Sequence, residues 1–159
     1  MTISRPPSNV NSSIQLTHST GATEAAGKEF ARTVSQNMVV GLSGDLGAGK
    51  TAWVRGFAQG LGYFGRVQSP SFGLIHEYRG GRFPIFHIDL YRLRSAADVV
   101  SAGLEVYLDH PDGVSVVEWP ERWWPDFSNL NSGLPNCRRV WLRHLGDNVR
   151  EVTYELPVG

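Results

Sequence analysis

The sequence predicts an α/β fold: a mainly parallel central sheet with antiparallel additions and a C-terminal hairpin. Short apolar runs rich in β-branched residues read as strands buried on both faces, and the first of them turns through glycines straight into a stretch of helical periodicity. Near the end of the chain, two alternating runs flank Gly146-Asp147-Asn148, the pattern of a hairpin. With 159 residues, 41% of them hydrophobic, the chain has the length of one domain with a sizeable core and is too apolar for disorder.

Residues 1–13 (MTISRPPSNVNSS) are polar and hold two prolines, so they read as a disordered leader to a single domain over 14–159. A first helix is expected from about Thr23 to Ser35: Ala26, Phe30, Ala31 and Val34 recur at helical spacing, and Ser19 or Thr20 can cap it. Met38–Leu42 reads as a buried strand. A helix from about Gly49 to Leu61 follows the glycine-rich turn, with Val54, Phe57, Ala58 and Leu61 on one stripe and Gly62 as its stop. Residues 72–79 and 83–88 are expected to form strands around Gly80-Gly81-Arg82, and Ala96–Ala102 a short helix. Val114–Val117 is another buried strand. The turn-rich stretch 128–136 reads as a surface loop, and 138–145 with 149–156 as the hairpin.

Fifteen basic residues balance fifteen acidic ones, and thirteen of the basic residues are arginines. A neutral chain has no domain-wide field with which to hold nucleic acid, although a local patch stays open. Cys137 is the only cysteine, which excludes an intrachain disulfide and a multi-cysteine zinc site and fits a reducing, cytoplasmic setting. The longest apolar runs are about five residues, too short for a signal peptide or a transmembrane helix.

The chemistry concentrates in GLSGDLGAGKT, residues 41–51. Gly44, Gly49, Lys50 and Thr51 match G-x-x-x-x-G-K-[ST], between a buried strand and an amphipathic helix as that motif requires. Glycines let backbone N–H groups converge on phosphate oxygens, and the helix N-terminus adds its positive end. The expected nucleotide-binding residues are Gly44, Asp45, Leu46, Gly47, Ala48, Gly49, Lys50, Thr51 and Ala52. Lys50 reaches the β- and γ-phosphates, and the Thr51 hydroxyl is a hard oxygen ligand for Mg²⁺.

Such a loop needs an acidic partner at the end of a neighbouring strand. Asp89 ends PIFHID and Glu118 ends VSVVE, so both carboxylates should emerge at the C-terminal edge of the sheet, where ligands bind in open α/β folds. Glu118 is assigned to Mg²⁺, directly or through water. Asp89 is assigned to the groups around the metal or to orienting the attacking water, and the reverse assignment stays open. His87 shares a strand face with Asp89 and is either a hydrogen-bonded core histidine or part of the site. Arg92 suits a structural ion pair or a phosphate contact. Ser71 occupies the place where nucleotide switches supply a hydroxyl, against a plain Ser-Pro turn as the alternative. Trp119, Trp123 and Trp124 cluster beside Glu118 and suit either a partner interface or core packing. A small-molecule kinase would need a lid and an arginine-lined acceptor pocket, neither of which is evident. A guanine-specific Asn-Lys-x-Asp box cannot exist with lysines only at 28 and 50.

Four motifs in order, GDLGAGKT (44–51), SPSF (69–72), HIDLYRL (87–93) and VEWPER (117–122), resemble the bacterial TsaE/YjeE family. These are ATPases required for the threonylcarbamoyladenosine modification of tRNA. AGLEVYLD (102–109) resembles the family's Gly-Leu-x-x-Tyr segment, and Thr23 with Gly27 its first-helix pattern, so the likeness covers about residues 17–156. It implies a three-layer fold of the P-loop NTPase type, ATP and Mg²⁺ as cofactors, and weak intrinsic ATPase activity. It also implies action with the TsaD and TsaB subunits, which attach the threonylcarbamoyl group made by TsaC and leave tRNA contact mainly indirect. Carried over, Lys50 and Thr51 grip phosphate and Mg²⁺, Glu118 is the metal-side acid and Asp89 the second essential carboxylate. The family's adenine site lies between the loop before the first helix and the C-terminal hairpin, where His18 and Arg150 stand. Ser71 replaces the usual Thr and keeps the hydroxyl. Ala52 replaces a second Thr, and an acidic pair is reduced to Asp98, which puts a partner contact in question.

Overall fold

The computed structural model describes residues 6, 11–71, 73–127 and 136–156. In chain order the elements are β1 (Ser12–Thr17), α1 (Thr20–Phe30), a 3₁₀ turn (Ala31–Thr33), β2 (Val39–Ser43), α2 (Lys50–Gly60), β3 (Ile75–Tyr78) and β4 (Ile85–Asp89). Then come α3 (Ala96–Ser101), α4 (Glu105–Asp109), β5 (Val114–Glu118), a 3₁₀ turn (Pro120–Arg122), β6 (Cys137–Gly146) and β7 (Val149–Glu155). The strands form one seven-stranded sheet in the order β1-β7-β6-β2-β5-β4-β3. β6, β2, β5 and β4 run parallel; β7 pairs antiparallel with both β6 and the edge strand β1, and β3 pairs antiparallel with β4 at the other edge. The mixed α/β sheet and the terminal hairpin are those expected from the sequence.

Burial explains the apolar runs. β2, β4 and β5 are buried at every position. On one face of the sheet, Phe30 of α1 and Trp53, Val54 and Phe57 of α2 pack on Val40, Leu42 and Val116. On the other, Val99, Leu104 and Leu108 pack on Val39, Ile88 and Val117. The helices α1 and α2 approach so closely that a methyl group at Gly27 would meet the Trp53 carbonyl and lie 2.9 Å from the Phe57 backbone nitrogen. That approach fixes α2, and with it Lys50 and Thr51, against the sheet.

Three elements depart from the sequence expectation. The first helix starts at Thr20, where the Ser19 hydroxyl accepts from the Ala22 N–H at 3.0 Å, and it ends at Phe30 before tightening into 3₁₀ geometry. Ser12 and Ser13, read as the end of the leader, are the first residues of β1, because pairing with β7 imposes extended structure on a sequence with little strand preference of its own. α4 lies in a stretch with no periodicity to announce it. Most of the expected leader, and the expected loop at 128–136 apart from Asn136, lie outside the described residues. Among the described residues, no helix is long and apolar enough to cross a membrane.

Candidate functional site

The turn from β2 into α2 is built by left-handed backbone. Gly47 and Gly49 have φ of +80° and +100°, a region where a side chain is strained. Gly49 caps α2 without a side-chain bond, so the helix presents its first N–H groups to the space beyond the loop. Gly44 is needed for a different reason: a methyl there would stand 2.7 Å from the Leu142 carbonyl oxygen.

Lys50, the first residue of α2, is almost fully buried. Its ammonium donates to the Gly44 carbonyl at 2.6 Å, lies 3.8 Å from Glu118 Oε1 and sits 4.4 Å from the centre of the Trp119 ring. Burial pulls its pKa below the usual lysine range, opposed by the charges of Glu118, Asp89, Glu121 and Asp45. Trp119 reaches over the ammonium because its backbone is left-handed, with φ 58°. That conformation costs a bulky residue on the order of 1–3 kcal/mol, and the ring packs on Tyr91 with centroids 5.0 Å apart.

Parallel pairing of β4 with β5 places Asp89 directly opposite Glu118. Both carboxylates are buried and fastened from behind. Asp89 Oδ1 accepts from the Tyr91 N–H at 2.8 Å and Oδ2 from the Ser69 hydroxyl at 3.1 Å, and Ser69 in turn lies 3.2 Å from the Ser71 hydroxyl. Glu118 Oε2 is 2.6 Å from His87 Nε2. His87 Nδ1 is 2.9 Å from the Tyr78 hydroxyl, which also lies 3.1 Å from the Gln68 carbonyl. Burial pushes the Tyr78 phenol up to about 12, so it keeps its single proton.

Lys50, Thr51, Ser71, Asp89, Glu118 and Trp119 line one cleft of about 410 Å³, a volume within the range of small-molecule sites. Leu46, Gly47, Gly49, Ala52, Ser69 and Tyr91 complete its lining. Arg150 lies beside Gly49, in a small recess of about 40 Å³ that it shares with Ser19, Thr20 and Asn148. His18 is exposed and does not line that recess; Ser19 and Thr20 supply the side chains there, because α1 begins earlier than its periodicity suggested. Arg92 is exposed. Trp119, Trp123 and Trp124 pack against the second core cluster.

The chain matches the family described as threonylcarbamoyl adenosine biosynthesis protein TsaE over residues 17–149. It belongs to the TsaE family. Proteins named tRNA threonylcarbamoyladenosine biosynthesis protein TsaE are similar to it in several bacteria. The one from Synechocystis is 43% identical over 104 residues, 64% of this chain and 66% of the relative, just under two thirds of that relative's length. The one from Bacillus subtilis is 38% identical over 133 residues, 83% of this chain and 78% of the relative. The one from Treponema pallidum is 38% identical, covering 80% of this chain and 88% of the relative. The crystal structure of Bacillus subtilis YdiB superposes with a TM-score of 0.71 at 34% identity, over 91% of this chain and 85% of that one.

Within this TsaE-family chain, Ser69, Tyr78 and Gln68 were not singled out from the sequence. Ser69 adjoins Ser71 in the same motif and differs from it only in reaching Asp89. Tyr78 lies diagonally across the β3–β4 pair from His87, a relation visible once the strand register is known. Gln68 acts through its backbone carbonyl, which no side-chain pattern encodes.

Proposed function

We propose that this chain is the ATP-binding and hydrolysing subunit required for threonylcarbamoyladenosine modification of tRNA, a P-loop NTPase-type three-layer protein that acts with a TsaD–TsaB complex. One observation carries this reading: the ammonium of Lys50 is held on the Gly44 carbonyl at the N-terminus of α2, facing a cleft with two anchored carboxylates. A glycine loop, a helix end and a lysine favour a polyphosphate there.

The donor set fits Mg²⁺. Thr51, Glu118 and Asp89 offer hard oxygens, and among the described residues no cluster of three or more His, Cys, Asp or Glu is arranged to cage a metal alone. That suits an ion that completes its shell with phosphate oxygens and water. Thr51 and Glu118 would hold it, and it would neutralise charge on the phosphates. Lys50 supplies the second positive charge toward the β- and γ-phosphates. Asp89, fixed by Tyr91 and Ser69, orients a water in line with the terminal phosphorus. The water adds to phosphorus as the bond to the β-phosphate oxygen breaks, giving ADP and inorganic phosphate.

Hydrolysis is slow alone and linked to partners, and a neutral chain leaves the tRNA to them. The test is purified protein with ATP and Mg²⁺, with and without the TsaD–TsaB pair. Binding of the pair, or a changed hydrolysis rate, supports the reading. If the pair neither binds nor alters hydrolysis, the reading fails.

A further inference from the structure

Beside the cleft lies a larger groove of about 730 Å³ that the proposed reaction does not use. Thr51, Ser69 and Ser71 line both spaces, so the groove begins where the cleft ends. Arg55, Arg66 and His76 add positive or potentially positive groups, and no carboxylate is among its described lining residues. Arg55 is steadied by Glu24 at 2.9 Å, which leaves most of its five donors available. Phe64, 77% exposed, stands just before Gly65 and Arg66 in the groove wall.

The groove wall is wired to both carboxylates. The Gln68 carbonyl accepts from His76 Nδ1 at 3.1 Å and lies 3.1 Å from the Tyr78 hydroxyl, which leads through His87 to Glu118. Ser69 leads to Asp89. Gln68, Tyr78 and His87 thus form one hydrogen-bonded chain behind Glu118, so a displacement of Gln68 shifts the groups that position that carboxylate.

We propose that this groove is a second binding site, for an acidic segment of a partner protein, and that its occupancy is transmitted to Glu118 through Gln68, Tyr78 and His87. The proposal rests on the ATPase reading above and names the partner surface. An arginine guanidinium recognises a carboxylate bidentately. An exposed phenylalanine beside them suits a protein segment, whereas gripping a nucleic-acid backbone takes several phosphate contacts that two arginines do not provide.

The test uses the full chain in two arms. In the first, an octa-glutamate peptide is titrated into wild type and Arg66→Glu: wild type binds it and the variant binds at least 10-fold more weakly, with an unchanged melting temperature. In the second, the TsaD–TsaB pair is added. Arg66→Glu keeps its affinity for Mg·ATP but binds the pair at least 10-fold more weakly. Tyr78→Phe binds the pair within about twofold of wild type, while the pair no longer changes its hydrolysis rate. No peptide binding by wild type, equal peptide binding by Arg66→Glu, or a Tyr78→Phe rate that still responds fully to the pair would each overturn the proposal. So would binding of an anticodon stem–loop, in place of the peptide, that Arg66→Glu abolishes. If wild type binds the peptide but not the pair, the functional reading fails and the groove stands.

Discussion

Replacing His87 by its two amide mimics separates positioning from packing. Glutamine places an amide nitrogen near the height of Nε2 and can still donate to Glu118, whereas asparagine, one methylene shorter, reaches toward Tyr78 and leaves Glu118 without its donor. The bond at stake is 2.6 Å long between a fully buried ring and a carboxylate only 3% exposed. Losing a charge-assisted bond in such a place costs about 1.5–3 kcal/mol. At roughly 2–4 °C per kcal/mol for a domain of this size, His87→Asn should melt about 3–12 °C lower. His87→Gln gives up only the bond at Nδ1, so it should cost about 1 kcal/mol. If the same contact aims Glu118 at the metal side of the cleft, kcat for ATP falls on the order of 10- to 100-fold in the asparagine variant while KM barely moves, and glutamine restores most of it. Thermal melts and steady-state phosphate release measure both quantities. Equal losses in the two variants, or a wild-type kcat in His87→Asn, would refute the positioning role.

Other outcomes follow from the same geometry. Gly27→Ala gains up to about 1 kcal/mol of helix propensity but drives a methyl into α2 backbone, so it should destabilise by about 1–3 kcal/mol net in urea denaturation and weaken nucleotide binding by shifting α2. An unchanged or raised midpoint contradicts the close helix approach. Glu118→Gln should weaken the Mg²⁺ dependence of nucleotide binding more than Asp89→Asn, which should chiefly lower kcat; calorimetry with and without Mg²⁺ compares them. Burial pushes the Cys137 thiol up to about 12 from an ordinary 9. The unfolded thiol therefore ionises first as pH rises, and stability is lost through the window from 9 to 12, at up to about 1.4 kcal/mol per pH unit. Cys137→Ala should lack that part of the slope in urea denaturation at pH 8 and pH 10.

The parts of the site legible in the sequence are those with local causes. The strand, the glycine turn at 44–49 and the helix that follows are contiguous, and Asp89 and Glu118 end apolar runs whose burial places them at one sheet edge. The parts that were not legible depend on contacts between distant segments. β1 exists because β7 offers an edge to pair with. The link from Glu118 to Gln68 needs the β3–β4 register and a backbone carbonyl. The cap at Ser19 starts α1 early, so Ser19 and Thr20 line the recess beside Arg150 and His18 lies next to it, a placement no periodicity announces.

The central claim is that the loop at 44–51 is a Mg·ATP site with Lys50 as its phosphate grip. Calorimetric titration of a slowly hydrolysed ATP analogue into wild type and Lys50→Ala, each with and without Mg²⁺, addresses it directly. The account predicts saturable one-site binding by wild type, tighter with Mg²⁺, and a loss of at least about 10-fold in Lys50→Ala, the worth of one charge-assisted contact. Equal binding by the two proteins, or no binding by wild type, would contradict it.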